Sequence, residues 1–211
     1  MISAVSDISV LEEDVAVGGR VLTLARPRDP DALLDKAAFE RDEFLPYWAE
    51  LWPSALALAR ELAPRSLRGA RTLELGCGLG LPALSAALAG GRVLAVDWSP
   101  DAVAFVRANA ERNGLQVATA ACSWAGDGPH LDDGPWDLVL LSDVLYEERN
   151  VDQLSALLER LPLRPGGEVW IADPDRPTAR PFLDDAAAQG WTVDSARPQG
   201  SARVVIHRLA R

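Results

Sequence analysis

The stretch Arg71–Pro82, "RTLELGCGLGLP", decides the fold: an alternating apolar run leads directly into three glycines spaced two apart, and a proline follows. Such a run is a buried strand, and Pro82 suits the first turn of a helix, "LPALSAALAG", that Gly90 ends. Working outward, "RVLAVD" is a second strand. "SPDAVAFVRANAERNG" offers Ser99 as N-cap, Pro100 at the first helical position, Asp101 at the positive end of the dipole and Gly114 as the stop. "QVATAAC" and "WDLVLLSD" read as the third and fourth strands, and "ERNVDQLSALLERL" as a helix with Val151, Leu154, Leu157, Leu158 and Leu161 along one face. "LRPGG" is expected to turn the chain sharply before a fifth strand, "EVWIAD". A helix, "ARPFLDDAAAQG", ends at Gly190, and "WTVDSA" and "ARVVIHRLA" pair around "RPQGS" as the last of seven strands.

Strands alternating with helices of about a dozen residues imply right-handed parallel crossovers. The expected fold is α/β: a doubly wound, Rossmann-like seven-stranded sheet, mostly parallel, with an antiparallel hairpin at one edge. Residues 1–64 read differently, as a hairpin turning at Gly18–Gly19 and a helix, "PSALALARELAP", bounded by Pro53 and Pro64. This extension is expected to pack on the core of residues 65–211 within one structural domain.

Composition narrows the function classes. The 211 residues, 48% of them hydrophobic, suffice for a full core, and no apolar run approaches the roughly 18 residues of a membrane span, so a cytoplasmic protein is expected. Cys77 and Cys122 are too few for a disulfide framework, and no metal is implied. A net charge of −10 repels nucleic acid and favours a cationic partner. Lys36 is the sole lysine, a skew with no functional reading.

In an open parallel sheet, ligands bind beyond the carboxyl ends of the strands, where Gly76, Gly78 and Gly80 lie. Their spacing is G-x-G-x-G, whereas a dinucleotide turn asks for G-x-G-x-x-G. Asp97 ends the second strand about 20 residues on, where a carboxylate accepts hydrogen bonds from ribose hydroxyls. Glu74 adds a second acid, and no lysine or arginine stands ready for a pyrophosphate. Adenosine without phosphate and with positive charge describes S-adenosyl-L-methionine.

From Arg71 to about Asp173 the chain resembles the seven-strand S-adenosylmethionine-dependent methyltransferases, "LELGCGLG" resembling their first motif and "VLAVDW" the acidic end of their second strand. A narrower resemblance covers "LPYWAELWPSALALA", "CSW", "SDVLYE" and "IADPDRPTARPFL". These look like the lysine methyltransferases grouped as methyltransferase family 16, in particular the electron-transfer-flavoprotein β-subunit branch and its bacterial relatives. The resemblance implies that the Gly76–Gly80 loop lies under the methionine part of the cofactor, that Glu74 meets its amino group directly or through water, and that Asp97 holds the ribose. It places Trp52 near the methionine end, Trp124 beside the adenine, and Asp143 and Tyr146 at the substrate pocket. The fifth-strand motif of the family is closer to D-P-G-R; here it reads Asp173-Pro174-Asp175-Arg176.

Of seven tryptophans, Trp136, Trp170 and Trp191 sit on expected strands and are assigned to the core. Trp48 and Trp52 are four apart and share one face of a helical turn, in core or cleft. Trp98 follows Asp97 and faces either the adenine site or the opposite side; Ser142, at the end of the fourth strand, joins the cofactor-side candidates. Asp143 at that strand end is the candidate for chemistry, with Tyr146 three residues on. His130 and His207 receive no role. The leading expectation is a methyltransferase acting on a lysine of a protein; the alternatives are a small amine or metabolite as acceptor, or a cofactor-binding domain without catalysis. "SDVL" lacks the N-P-P-Y type motif of adenine and glutamine-amide methyltransferases.

Overall fold

The computed structural model describes residues 8–33, 46–124 and 131–211. His130 lies outside the described residues. A hairpin, β1 (Val10–Val17) and β2 (Arg20–Pro27), turns at Gly18–Gly19 as expected, with full antiparallel register from Val10 opposite Pro27 to Val17 opposite Arg20. Helix α1 (Pro53–Leu62) follows, and then the core alternates β3 (Arg71–Leu75), α2 (Leu81–Leu88), β4 (Arg92–Asp97), α3 (Pro100–Arg112), β5 (Val117–Ala121), β6 (Trp136–Ser142), α4 (Glu148–Arg160), β7 (Leu163–Asp173), α5 (Ala179–Ala188), β8 (Thr192–Ala196) and β9 (Val205–Ala210). The capping chemistry holds where it was expected. Ser99 accepts the Ala102 N–H at the start of α3, behind Pro100, and Gly114 adopts a left-handed φ of 63° just past its end.

The seven core strands pair in the order β5-β4-β3-β6-β7-β9-β8, parallel except for β9, which runs antiparallel to both of its neighbours. The chain winds outward from β3 through β4 to β5, then returns to start again at β6. The switch in winding therefore falls between β3 and β6, where a crevice opens at the carboxyl ends of the strands. The edge hairpin has a refinement: the last strand inserts between β7 and β8, so β8, made earlier in the chain, forms the edge.

Alternate residues feed the two faces. Leu73, Leu75, Val139, Leu141 and Ile171 pack under α4 and α5 through Leu154, Leu157 and Phe182. Val93, Ala95, Leu138, Leu140 and Ala172 pack under α1, α2 and α3 through Leu58, Leu62, Ala83 and Val106. Trp136, Trp170 and Trp191 are buried, at 3%, 2% and 4% exposure, which fulfils their assignment to the core. The hairpin joins this second layer, with Val17, Leu22 and Leu24 against Ala59, Leu81, Leu84 and Ala110.

"LRPGG" departs from expectation, for it lies inside β7. While β6 advances two residues, from Trp136 to Leu138, its partner advances five, from Leu163 to Glu168, so the loop is a bulge within the strand. Gly166 takes a φ of 76°, and a Cβ on Gly167 would sit 2.8 Å from the Trp136 carbonyl oxygen. No helix among the described residues is long and apolar enough to cross a membrane.

Candidate functional site

The turn after β3 is the floor of the crevice. Gly76 has a φ of 67°, and a Cβ there would come within 2.8 Å of Trp124 Cζ2 and 2.9 Å of Val144 Cγ1, so only glycine lets the indole and the valine close over the turn. Asp97 fastens the loop from the end of β4. One oxygen accepts the Gly78 N–H at 3.0 Å and the other the Ser99 N–H at 3.0 Å. Burial pushes the Asp97 carboxyl up to about 6, against the hydrogen bonds from Ser99, Gly78 and Trp98 that favour its charge. Glu74 lies beneath this floor and is absent from the cavity wall. Its Oε2 accepts the Ala83 N–H at 2.8 Å, satisfying the first turn of α2, while Oε1 is buried with no hydrogen-bond partner among the described residues. Burial raises this carboxyl well above its ordinary value; the Ala83 N–H opposes that, and the Asp97 charge adds to it.

Above the floor is a cavity of about 290 Å3, near the lower end of the roughly 300–1,000 Å3 usual for small-molecule sites. It brings together Trp52, Gly76, Gly78, Gly80, Asp97, Trp98, Trp124 and Ser142 with Asp143 and Tyr146. Trp98 stands at the mouth, 42% exposed. Trp48 and Trp52 both line the cavity, but not as one face of a helical turn: Tyr47–Ala49 forms a short 3-10 turn, and Trp52 is extended at φ −78°, ψ 146°. Pro53 enforces this, since its ring disfavours a helical residue before it.

On the far side, Asp143 stands at a φ of 58°, its N–H donating to Ala172 O at 3.0 Å. The carboxylate is 8% exposed and engaged twice. It accepts the Ser54 N–H at 3.2 Å in the first turn of α1, and it meets Arg176 Nη2 at 2.7 Å. Thus an acid from the β6 end caps a helix whose own N-cap residue, Trp52, supplies no side-chain bond. Arg176 continues to Asp173, Nη1 donating to Oδ2 at 2.8 Å and its backbone N–H to Oδ1 at 2.6 Å. Burial works against the charge of Arg176, but its bonds to Asp173 and Asp143 outweigh that and raise its pKa.

The departure from D-P-G-R has a local reading. Asp175 occupies a left-handed position, φ 64°, that glycine would take without strain, and Arg197 from the β8–β9 connection holds its carboxylate at 2.6 Å. Three rings close the upper wall. Tyr47 meets Tyr146 edge-on at 5.2 Å and Trp52 at 6.2 Å, and Trp52 Nε1 donates to the Tyr47 carbonyl at 2.7 Å. Burial raises the Tyr146 phenol, opposed by a hydrogen bond with Asn150. His207 is away from this wall, its Nδ1 bonded to Ser195 Oγ at 2.8 Å. Tyr47 and Arg176 were not singled out from the sequence, although both lie in the quoted motifs.

Comparison with known proteins gives the same region. The sequence model of a family described as "Lysine methyltransferase" matches residues 47–180. The chain is 40% identical over 134 residues to the electron transfer flavoprotein beta subunit lysine methyltransferase of Danio rerio, covering 62% of this chain and 51% of that protein. It is 30% identical over 167 residues to EEF1A lysine methyltransferase 3 of Mus musculus, covering 76% and 71%. The chain thus spans about half the length of the flavoprotein-directed relatives it matches. Among solved structures it is similar in fold to the T. thermophilus 16S rRNA N2 G1207 methyltransferase in complex with AdoMet and guanosine, with a TM-score of 0.67, 17% identity, and coverage of 96% of this chain and 50% of that one.

Proposed function

The chain belongs to the lysine methyltransferase family, and from that premise we propose that it transfers a methyl group from S-adenosylmethionine to a lysine side chain of a protein. The observation that carries this reading is the charge of the cavity. Its wall holds Glu50, Asp97, Asp143 and Glu147, and its one basic side chain among the described residues, Arg176, is already bridged to two carboxylates. Such a wall has nothing to offer a pyrophosphate and suits a cationic cofactor and a cationic acceptor.

The residues fit the cofactor on this structure's own terms. Asp97 reaches the cavity with lone pairs left for ribose hydroxyls, and the Trp98 and Trp124 rings stand where a flat base can lie. The partnerless Oε1 of Glu74, below the loop and outside the cavity wall, suits a water under the cofactor's ammonium group rather than the ammonium itself. When bound, the cofactor supplies an electrophilic methyl group on its sulfonium. The chain supplies alignment, exclusion of water, and an acceptor in its neutral form. A free lysine amine holds its proton up to about pH 10.4, so the site must favour the deprotonated form. Asp143 orients the amine from the β6 end, while the rings of Tyr47, Tyr146 and Trp52 enclose its aliphatic stem and face the positive centre.

The test is methyl transfer from labelled S-adenosylmethionine in a lysate of the protein's own source. Label in a protein band that hydrolyses to methyl-lysine, and disappears with Asp97→Ala, is the expected result. Label confined to small molecules overturns the protein-lysine reading.

A further inference from the structure

We propose that Arg176 is a positioning residue that sets the charge facing the acceptor amine. By cancelling one of two buried carboxylates, it lets the cavity draw in a cationic side chain without trapping it in its unreactive protonated form. The inference rests on the methyl-transfer reading above.

Arg176 enters the cavity from the segment after β7 and ties Asp143 at 2.7 Å to Asp173 at 2.8 Å. Asp173 is fully buried and Asp143 nearly so, whereas the Arg176 side chain keeps a quarter of its surface exposed. The backbone is bent to make this bridge. Asp143 and Asp175 are the only non-glycine residues with left-handed φ among those described, and they stand on either side of it. Strain of this kind persists only where the surroundings over-determine it. Here the surroundings are the Ser54 N–H on Asp143 and Arg197 on Asp175.

Only a neutral amine has the lone pair that accepts a methyl group, so the ammonium proton must pass to solvent before transfer. A neighbouring carboxylate favours the ammonium, raising its pKa by about one to three units. Without Arg176, Asp143 on the wall and Asp173 buried outside the lining would be two uncompensated carboxylates, holding the lysine tightly and in the wrong protonation state. With Arg176 between them, this cluster keeps a net of one negative charge, beside Glu50, Asp97 and Glu147 on the same wall, of which Glu147 is paired with Arg149. That is enough to attract a cation in a desolvated pocket, and less of a barrier to losing its proton.

The probe is n-butylamine, a truncated lysine side chain, titrated by NMR into protein saturated with S-adenosylhomocysteine, from about pH 6 to 10. Arg176→Gln is expected to bind the amine about tenfold more tightly at neutral pH, and to raise by about one unit the pH at which the bound amine loses its proton. Arg176→Lys keeps the charge and is expected to stay within about twofold of the wild type. An Arg176→Gln affinity that is unchanged or weaker overturns the proposal, as does amine binding too weak to detect in every variant. Should Arg176→Gln lose S-adenosylhomocysteine, the test passes to two other variants: Arg176→Lys must match the wild type, and Asp143→Asn must bind butylamine about tenfold more weakly. Any other order overturns it. A wild type that does not bind S-adenosylhomocysteine removes the methyl-transfer reading itself; one that binds it, with an amine affinity indifferent to Arg176, removes this inference alone.

Discussion

At Asp97 the burial that places a carboxylate under the cavity also makes its protonation matter. Its folded value, about 6, lies above the ordinary 3.8, so the folded state holds the proton more tightly than the unfolded chain does. The stability this lends is complete below the ordinary value and is lost as pH rises through about 6. Chemical denaturation of wild type and Asp97→Asn should therefore diverge with pH in that window, the wild type losing ground as pH rises. If Asp97 holds the ribose as proposed, cofactor binding should run the other way, because the ionised carboxylate is the stronger acceptor for the hydroxyls: calorimetric affinity for S-adenosylmethionine should fall by up to about tenfold per pH unit below 6, and Asp97→Asn should flatten the profile. Gly76→Ala would push a methyl group against Trp124 and Val144 at a left-handed φ, and a loss of about 2 kcal/mol in urea unfolding, with weaker cofactor binding, is expected. Glycine, Asp97 and Asp143 were legible in the sequence because strand ends announce themselves. Tyr47 and Arg176 were not, since their place in the cavity comes from loops that only the folded sheet brings together.

Among the elements, α3 does more than cover the sheet. Asn109 accepts the Ala25 N–H at 2.7 Å and donates to Ala25 O at 3.1 Å and to Leu79 O at 3.2 Å, so one buried amide ties the hairpin to the glycine turn. Asn113, one turn on, pairs in the same way with the N–H and carbonyl of Thr23. Two side chains thus act as a strand's peptide groups along the edge of β2. Asn109→Ala strands a buried N–H and leaves two carbonyls without this donor, and should lower stability by about 3 kcal/mol, measured by urea unfolding, and weaken cofactor binding through the released loop. The caps and periodicity that define α3 are written in its sequence. This bracing is not, because an asparagine spaced four residues from another reads equally as an exposed helical face. "LRPGG" misled for a related reason: Gly166 and Gly167 carry the signature of a turn, and only pairing with β6 absorbs them as a bulge.

For the whole molecule, a net charge of −10 on 211 residues adds long-range attraction to any basic acceptor surface. Raising salt from about 50 to 300 mM should lower kcat/KM for a protein acceptor several-fold, through the shrinking Debye length, while leaving cofactor affinity nearly constant. Steady-state kinetics on the labelled acceptor, beside calorimetry with S-adenosylmethionine, separates the two effects. The doubly wound, mostly parallel sheet followed from strand-helix alternation, since handed crossovers leave few topologies open; the strand order, with its switch between β3 and β6 and β9 inserted beside β7, is a property of the folded sheet that alternation does not carry.

The insertion of β9 between β7 and β8 imposes a sequence of events on the growing chain. On the ribosome, β8 emerges before the strand it pairs with, and the flank of β7 stays bare until residues 205–210 have been made. Arg197, which pins Asp175, lies in the connection between those two strands. The glycine turn and Asp97 can therefore assemble during translation, while the Asp143–Arg176 end of the cavity takes its final form only when β9 slots home.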